Sequence, residues 1–285
     1  MPKTNSHSSI LKFSFLCFII ILCSNTIAQQ KKVSRTQVLQ QFAFKSNHIR
    51  LEGSGLSFFK ARLNRQSGTH PVKSSMAPGL ALGIKYQFNF SNEYALTIGP
   101  EAILAGRNFI TSFNKSDFSP PLTEDAEINA TNGYLSDLIL SFSATIEKRI
   151  LYKPAKHLFF NSGLRLNIST GADFAIFRIV LPNTNNGFYD AGGVDVYANN
   201  DAKPWISIPL TAGHSWLLQN NNLLQLSLCS NVSFTKYVNG AYRIDIPGRI
   251  STTGLYNTTG SYIGLSLNYV FTSTNYKIRK AYETN

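Results

Sequence analysis

The chain has 285 residues, of which 43% are hydrophobic and 15% charged, with a formal net charge of +12. This length allows one large domain or two small ones. A helical membrane protein would contain runs of about 18 or more apolar residues. Beyond the N-terminal region the sequence has no such run. The best candidate, residues 172–181, is interrupted by Asp173 and Arg178. A membrane β-barrel is not excluded, because its apolar residues alternate with polar ones.

Residues 1–28 have the features of a secretory signal peptide. Lys3 and Lys12 supply the basic region, an apolar run follows, and Ala28 is a small residue at the predicted cleavage site. Cleavage there would leave 25 basic and 15 acidic residues, a charge of about +10. Cys229 would be the sole remaining cysteine, which excludes an internal disulfide. In an exported chain this basic balance favours anionic outer-membrane lipid or lipopolysaccharide over nucleic acid as the partner.

After a polar segment at 29–47, which we interpret as periplasmic, eight stretches alternate apolar with small or polar residues. This period of two predicts half-buried strands. The stretches are 49–62, 78–90, 93–109, 134–151, 157–174, 204–219, 223–237 and 260–271. Pro100 interrupts the third stretch and predicts a bulge, because proline cannot donate to a strand ladder.

The connections between these stretches are alternately long and short. This rhythm is typical of outer-membrane barrels, which have short periplasmic turns and long external loops. We therefore predict an all-β fold, a closed antiparallel transmembrane β-barrel of eight strands over 48–271, with a periplasmic tail at 272–285. Ten strands are possible if the third or fourth long connection contains another hairpin.

Alternation defines two faces of each strand without identifying the inner one. A membrane barrel turns its apolar face to lipid, whereas a lipocalin-like barrel or a sandwich turns it to a core. Aromatic residues gather near strand ends, which favours two membrane interfaces. They are Tyr86, Phe88, Phe90, Tyr94, Tyr152, Tyr269 and Phe271 toward the short turns, and Phe109, Tyr134, Phe174, Trp205, Phe234, Tyr237 and Tyr262 toward the long connections.

The face predicted to line the lumen carries charged residues of both signs. They are Lys85, Glu101, Arg107, Asp137, Glu147, Arg149 and Arg165. The interior of an eight-stranded barrel is just wide enough for side chains to fill, and buried charges must be paired. We therefore expect these residues to form an ion-paired plug that closes the lumen to solutes.

Catalytic chemistry has one weak candidate, the adjacent pair His214 and Ser215. Neighbouring strand residues point to opposite faces, so the two cannot form a dyad without a bulge. Acidic residues at 117–127 match no calcium-loop spacing and predict a solvated loop. We predict no catalytic, cofactor or metal site, and we expect that the protein is not an enzyme.

The last strand ends at Tyr269 and Phe271, similar to the aromatic-terminated closing signal of outer-membrane barrels, and we predict that it closes the barrel. With the leader ending at Ala28, the glycine-rich first strand, the hairpin rhythm and the closing run 264–269, the chain resembles the outer-membrane β-barrel families of Bacteroidota, in particular the PorT-like group. This resemblance implies an outer-membrane location and a barrel fold, and links the chain to protein export across that membrane. It identifies no functional residue.

The leading interpretation is a monomeric barrel in the cell outer membrane that acts as a structural and interaction scaffold through its external loops. One alternative is an accessory component of an outer-membrane protein secretion or transport system, with secretion-system proteins as partners. Another is a barrel enzyme that acts on lipid or peptide.

Overall fold

The computed structural model describes Phe44 and residues 46–272, apart from 154, 171–174, 199–203 and 219–221, and gives the backbone alone at 131–136, 175–176 and 196–198. These residues belong to one compact unit, Arg35–Asn285. The predicted signal peptide at 1–28, most of the segment at 29–47 and the tail beyond Thr272 lie outside the described residues. Among the described residues, no helix is both long and apolar enough to cross a membrane.

The described residues form fourteen strands and a short 3₁₀ helix, Lys115–Asp117. The strands are β1 (His48–Phe58), β2 (Arg62–Ser67), β3 (Val72–Lys73), β4 (Ala77–Asn89), β5 (Tyr94–Phe113), β6 (Ala126–Lys153), β7 (Lys156–Ser169), β8 (Ala175–Pro182), β9 (Phe188–Ala198), β10 (Trp205–Leu217), β11 (Leu223–Val232), β12 (Val238–Ile244), β13 (Thr252–Thr258) and β14 (Tyr262–Thr272).

Eight of these strands close into an antiparallel barrel, in the order β5-β4-β1-β14-β11-β10-β7-β6, with β6 returning to β5. All eight predicted strands are present, and the predicted fold class is confirmed. The last strand, β14, pairs with both β1 and β11, so Tyr269 and Phe271 lie on the strand that closes the barrel. The barrel has no free edge, as a lipid-embedded sheet requires.

The outer surface of the barrel is apolar and its interior is polar. On β4, Leu80, Leu82 and Ile84 are exposed, while Lys85 and Gln87 are buried. The same alternation runs along the other barrel strands, where leucine, isoleucine and phenylalanine face outward. In water this surface would be far larger than the apolar patches that soluble proteins expose. The barrel is therefore of the transmembrane kind, and the lipocalin-like alternative is wrong.

The long connections contain more structure than the sequence predicted. Strands β2, β8, β9, β12 and β13 come from three of them and form a second, five-stranded sheet in the order β2-β13-β12-β9-β8. The second connection continues the β5–β6 hairpin as far as Phe113 and Ala126. The third and fourth connections do contain hairpins, but these pair in the second sheet and leave the barrel at eight strands.

Two details differ from the sequence prediction. The ladder passes Pro100 without a change of register, and the bulge lies between Gly106 and Asn108 instead. The predicted aromatic belt near the long connections is wrong for Phe109, Trp205, Tyr237 and Tyr262, which are buried, whereas Phe234 is exposed. The side chains of Tyr134 and Phe174 lie outside the described residues.

Candidate functional site in the barrel interior

The inward-facing side chains of β1, β4, β5, β6 and β7 place the charged residues in the lumen. Two-residue periodicity puts every second residue of a strand on the inner face. All seven predicted charged residues are buried, and Arg50 and Glu52 of β1 join them. The sequence prediction missed these two because Gly53 and Gly55 blurred the alternation of β1. The alternation of apolar and charged residues at Ile49, Arg50, Leu51 and Glu52 could have identified them as inward-facing.

Most of these charges form one continuous chain of ion pairs. Glu147 bonds Arg149 at 2.6 Å and Arg50 at 3.2 Å. Glu52 bonds Lys85 at 2.8 Å, and Arg50 lies 3.9 Å from Glu52. Glu101 then contacts Lys85 at 3.4 Å and Arg165 at 2.8 Å. The chain links β1, β4, β5, β6 and β7 across the lumen, so no carboxylate in it is buried without a base.

A separate pair lies nearer the long connections. Arg107 of β5 contacts Asp137 of β6, and Ser169 donates a hydrogen bond to the same carboxylate oxygen at 3.0 Å. Arg107 occupies the register shift between β5 and β6. A bulge of this kind changes the direction of a side chain. Here the guanidinium of Arg107 points into the lumen.

Each buried arginine also lies over an aromatic ring, in addition to its carboxylate. The guanidinium carbon is 5.8 Å from the Phe159 ring centre for Arg50, 5.7 Å from Tyr237 for Arg107, 4.6 Å from Phe44 for Arg149 and 5.8 Å from Tyr262 for Arg165. These distances are within the range of cation–π attraction. Ring faces and carboxylates together offset part of the hydration that the arginines lose on burial.

Phe44 belongs to the segment that precedes β1 and is 1% exposed. Its ring packs edge-on against His157 of β7, with 5.1 Å between ring centres, as well as beneath Arg149. It also packs with Leu217, Leu223 and Val270 at the short-turn end of the barrel. Phe44 therefore fills part of the lumen at this end.

A hydrophobic core occupies the opposite end of the lumen, where the barrel meets the second sheet. It combines inward barrel residues with the inner face of that sheet. Its aromatic members include Phe58, Phe109, Phe113, Trp205, Tyr237, Tyr242, Tyr256 and Tyr262. Trp205 and Tyr237 stack with ring centres 4.9 Å apart. Burial raises the pKa of Tyr256 to about 12, and it raises the pKa of Tyr237 and Tyr242 as well.

Between these ends the interior retains a cavity of about 20 Å³, lined by residues that include Arg50, Glu52, Lys85, Glu101 and Arg165. That volume is enough for about one water molecule. The cavity is surrounded by hydrogen-bonding groups, which suits an ordered water better than an apolar ligand.

The remaining sequence candidates do not assemble into a reactive centre. His214 contacts the Tyr152 hydroxyl on the outer face of the barrel, while Ser215 is fully buried on the inner face. The pair therefore lacks the geometry of a dyad. In the second connection, Asp117 contacts Arg249 at 2.6 Å, and Glu124, Asp125 and Glu127 are exposed. Within the described part of the chain, no three His, Cys, Asp or Glu residues are grouped to hold a metal.

No protein-family model and no curated protein matches this sequence. Among solved structures, the chain is similar to the outer membrane protein OprG from Pseudomonas aeruginosa, with 10% identity, a TM-score of 0.39, and coverage of 80% of this chain and 98% of OprG. It is also similar to Ail, the attachment invasion locus protein of Yersinia pestis, with 9% identity, a TM-score of 0.24, and coverage of 78% and 99%.

A third similar structure is the transport unit of the autotransporter AIDA-I from Escherichia coli. It has 12% identity and a TM-score of 0.22, and the match covers 91% of this chain and 97% of that unit. At these scores, the assignment of a transmembrane barrel rests on the strand pairing and surface of the chain itself.

Proposed function

We propose that the protein resides in the bacterial outer membrane with its second sheet outside the cell, and that it is a scaffold with a lumen closed to solutes. The observation that carries this proposal is the ion-pair chain across the lumen, bounded by Phe44 at one end and by the aromatic core at the other. The short turns then lie in the periplasm, as is usual for such barrels.

Closure follows from the energetics of the paired charges. Opening a water-filled path would require several neighbouring pairs to separate together, because Glu147, Glu52 and Glu101 each contact two bases. Breaking one buried pair costs about 3–5 kcal/mol when a partner is left without its counter-charge. A wide pore would need to break many of them, so passive diffusion through this interior is unfavourable.

The exposed face of the second sheet supports the role of an interaction scaffold. Phe188 is 72% exposed, Ile250 in the β12–β13 connection is 82% exposed, and Val180 and Leu255 add further apolar surface. These large apolar side chains are available on the second sheet for contact with a partner protein. A secretion or transport complex is one assembly that such a surface could join.

Two measurements test this proposal, one on the membrane fraction and one on the purified protein. The membrane fraction should show heat-modifiable migration on a denaturing gel, and planar bilayers should show no stable conductance. A general porin reconstituted in the same way serves as the positive control. Conductance comparable to that of the porin would refute the closed lumen, and a band that migrates identically with and without heating would refute the barrel.

Crosslinking on intact cells tests the scaffold role. Partners captured by the wild-type chain should be lost from the double variant Phe188→Ser/Ile250→Ser, which keeps the barrel unchanged. If the same partners are captured with both chains, the exposed sheet is not the interaction surface. If mild-detergent purification yields no partner, membership of a secretion complex is wrong.

A further inference from the structure

The lipid-facing side of β1 is interrupted by three small residues. Gly53, Gly55 and Ser57 occupy consecutive outward positions, between Leu51 on one side and Phe59 on the other. Large side chains flank them on both neighbouring strands. Gly53 lies opposite Leu82 and Leu267, and Gly55 lies opposite Leu80 and Leu265. The missing side chains of β1 thus leave a trough on the barrel surface, with β4 and β14 as its walls.

The trough has the dimensions of a single hydrocarbon chain. A Cβ atom added at Gly55 would meet no atom within 4 Å, and one added at Gly53 would lie 3.7 Å from Leu82. Strands lie about 4.8 Å apart, so the backbones of the two walls are about 10 Å apart. The floor from Gly53 to Ser57 is about 13 Å long at about 3.3 Å per residue. Leu82 and Leu265 are 70% and 62% exposed, and their sides are available for contact.

Basic residues stand at the end of the trough nearest the second sheet. Phe59 and Met76 are exposed there, and Lys60 and Arg62 follow directly. Residues 59–76 contain four bases and no acid. In the ranges that the structure covers, neither Lys60 nor Arg62 forms a salt bridge. Ile49 and Leu51 fill the opposite half of β1, which confines the trough to one leaflet.

We propose that this trough binds one acyl chain of a phosphorylated glycolipid of the lipid A type, whose phosphate is bound by Lys60 and Arg62. The proposal rests on the proposed function, because the leaflet at the second sheet is then the external leaflet of the outer membrane. The apolar walls contact the methylene groups, while the two cations neutralise the phosphate at the membrane surface. Phe59 and Met76 mark the depth at which the acyl chain meets its head group.

Native mass spectrometry of the barrel in mild detergent, titrated with lipid A, tests the site. Gly55→Leu places a large side chain on the floor of the trough, where an added Cβ atom meets no neighbour within 4 Å, and we expect it to weaken lipid A binding about tenfold. The matched control is Ala144→Leu, which adds the same bulk to an exposed, lipid-facing position of β6. Equal weakening by both variants, or by neither, would overturn the trough as the binding site.

The head-group contact is tested separately with Lys60→Ala/Arg62→Ala. This variant should lose preference for lipid A over a phosphatidylglycerol of matched chain length, and equal preference in variant and wild type would overturn the phosphate contact. A crosslinker placed at Ser57 that captures a protein in place of lipid would also overturn the proposal. Heat-modifiability and conductance, measured on the same samples, report on the barrel and its closed lumen independently of lipid binding.

Discussion

Glu147 illustrates at the scale of one residue how this interior compensates for the burial of charge. Its carboxylate is fully buried and accepts hydrogen bonds from Arg149 at 2.6 Å and from Arg50 at 3.2 Å. An isolated buried carboxylate would be very costly, and two guanidinium partners offset that cost. Arg149 depends on it more than Arg50 does, since Arg149 has no other carboxylate partner among the described residues, whereas Arg50 also lies 3.9 Å from Glu52.

Replacing this carboxylate should therefore destabilise the barrel strongly. We expect Glu147→Gln to lower the free energy of unfolding by about 3–5 kcal/mol, because it keeps the shape of the side chain but leaves the buried guanidinium of Arg149 without a counter-charge and that of Arg50 with Glu52 alone, 3.9 Å away. The measurement is urea unfolding in detergent micelles, followed by the gel shift of the folded barrel.

The exposed pair Arg178 and Asp190 provides the control for this prediction. Its atoms lie 3.4 Å apart, but both side chains are more than 60% exposed. Asp190→Asn should change the free energy of unfolding by less than about 1 kcal/mol. Similar effects for Glu147→Gln and Asp190→Asn would contradict the view that burial gives the interior pairs their importance.

His70 makes a pH-dependent contribution outside the membrane. Its ring nitrogen bonds the Thr111 hydroxyl at 2.9 Å, and its ring stacks on Phe113 with centres 4.8 Å apart. Burial lowers the pKa of His70 below its ordinary value of 6.5, although Asp117 acts in the opposite direction, and Arg249 and Arg65 lower it further. The folded state therefore prefers the neutral ring.

The sign of the effect follows from this preference. Below pH 6.5 the histidine of the unfolded segment binds a proton, whereas the folded segment disfavours that proton. The contribution of His70 to stability is therefore fully present above pH 6.5 and is lost as the pH falls below it. We expect amide exchange at 68–73, corrected for its intrinsic rate, to accelerate on acidification. His70→Gln should remove the acceleration, and an unchanged pH profile in that variant would show that another group is responsible.

At the scale of elements, the second sheet depends on close packing between β9 and β12. Gly192 has φ +97°, and a Cβ atom there would lie 2.0 Å from the Arg243 carbonyl oxygen of β12. Gly192→Ala should therefore separate the two strands, and trypsin should cleave the folded protein after Arg243. The gel shift of the barrel should persist, because the barrel ladders do not include either strand.

Gly248 is the matched control, since it shares the left-handed backbone without the clash. Its φ is +76°, and a Cβ atom added there would meet nothing within 4 Å. Gly248→Ala should cost only about 1–2 kcal/mol of backbone strain and leave the β9–β12 ladder intact. Equal trypsin sensitivity in both alanine variants would mean that strain, and not strand separation, makes the backbone at Arg243 accessible to trypsin.

The two sheets differ in how far the sequence predicts them. Lipid on one side and a polar lumen on the other impose a strict period of two, and for this reason all eight barrel strands were predictable. The second sheet has no such constraint: β2 is polar apart from Leu63, and β9 carries Gly192 and Gly193 in the middle of its run. Only β12 alternates clearly, at Tyr242, Arg243 and Ile244. Which sheet a strand joins depends on contacts distant in sequence.

The aromatic residues near the long connections show the same limit. Trp205 and Tyr262 lie two residues before Ser207 and Gly264, which are on the inward face of the same strands. The alternation along each strand therefore places both aromatic residues on the inward face. Their position near strand ends suggested a membrane belt, yet parity places them in the core under the second sheet. The charged lumen residues were predictable because both their parity and their chemistry pointed to the same face.

At the scale of the whole molecule, the barrel, the second sheet and Phe44 bound one enclosed interior. The core beneath the second sheet covers one end of the ion-pair chain, and Phe44 packs against Arg149 at the other. Cys229 of β11 faces this interior and is 7% exposed. It is also the single cysteine of the chain after residue 28, which makes it a natural probe of access to the lumen.

We expect Cys229 in membrane-embedded protein to resist a water-soluble maleimide during an exposure that labels the heat-unfolded chain completely. Burial keeps the thiol away from the reagent, and the paired charges exclude a water-filled route to it. Phe44→Ala should leave this resistance unchanged toward a reagent on the periplasmic side, since it removes the ring that covers Arg149 and His157 but not the ion pairs between that end and Cys229. A reagent confined to the opposite side of the vesicle should still fail, because the aromatic core remains. Rapid labelling of the folded wild-type protein from either side would show that the interior is open to water.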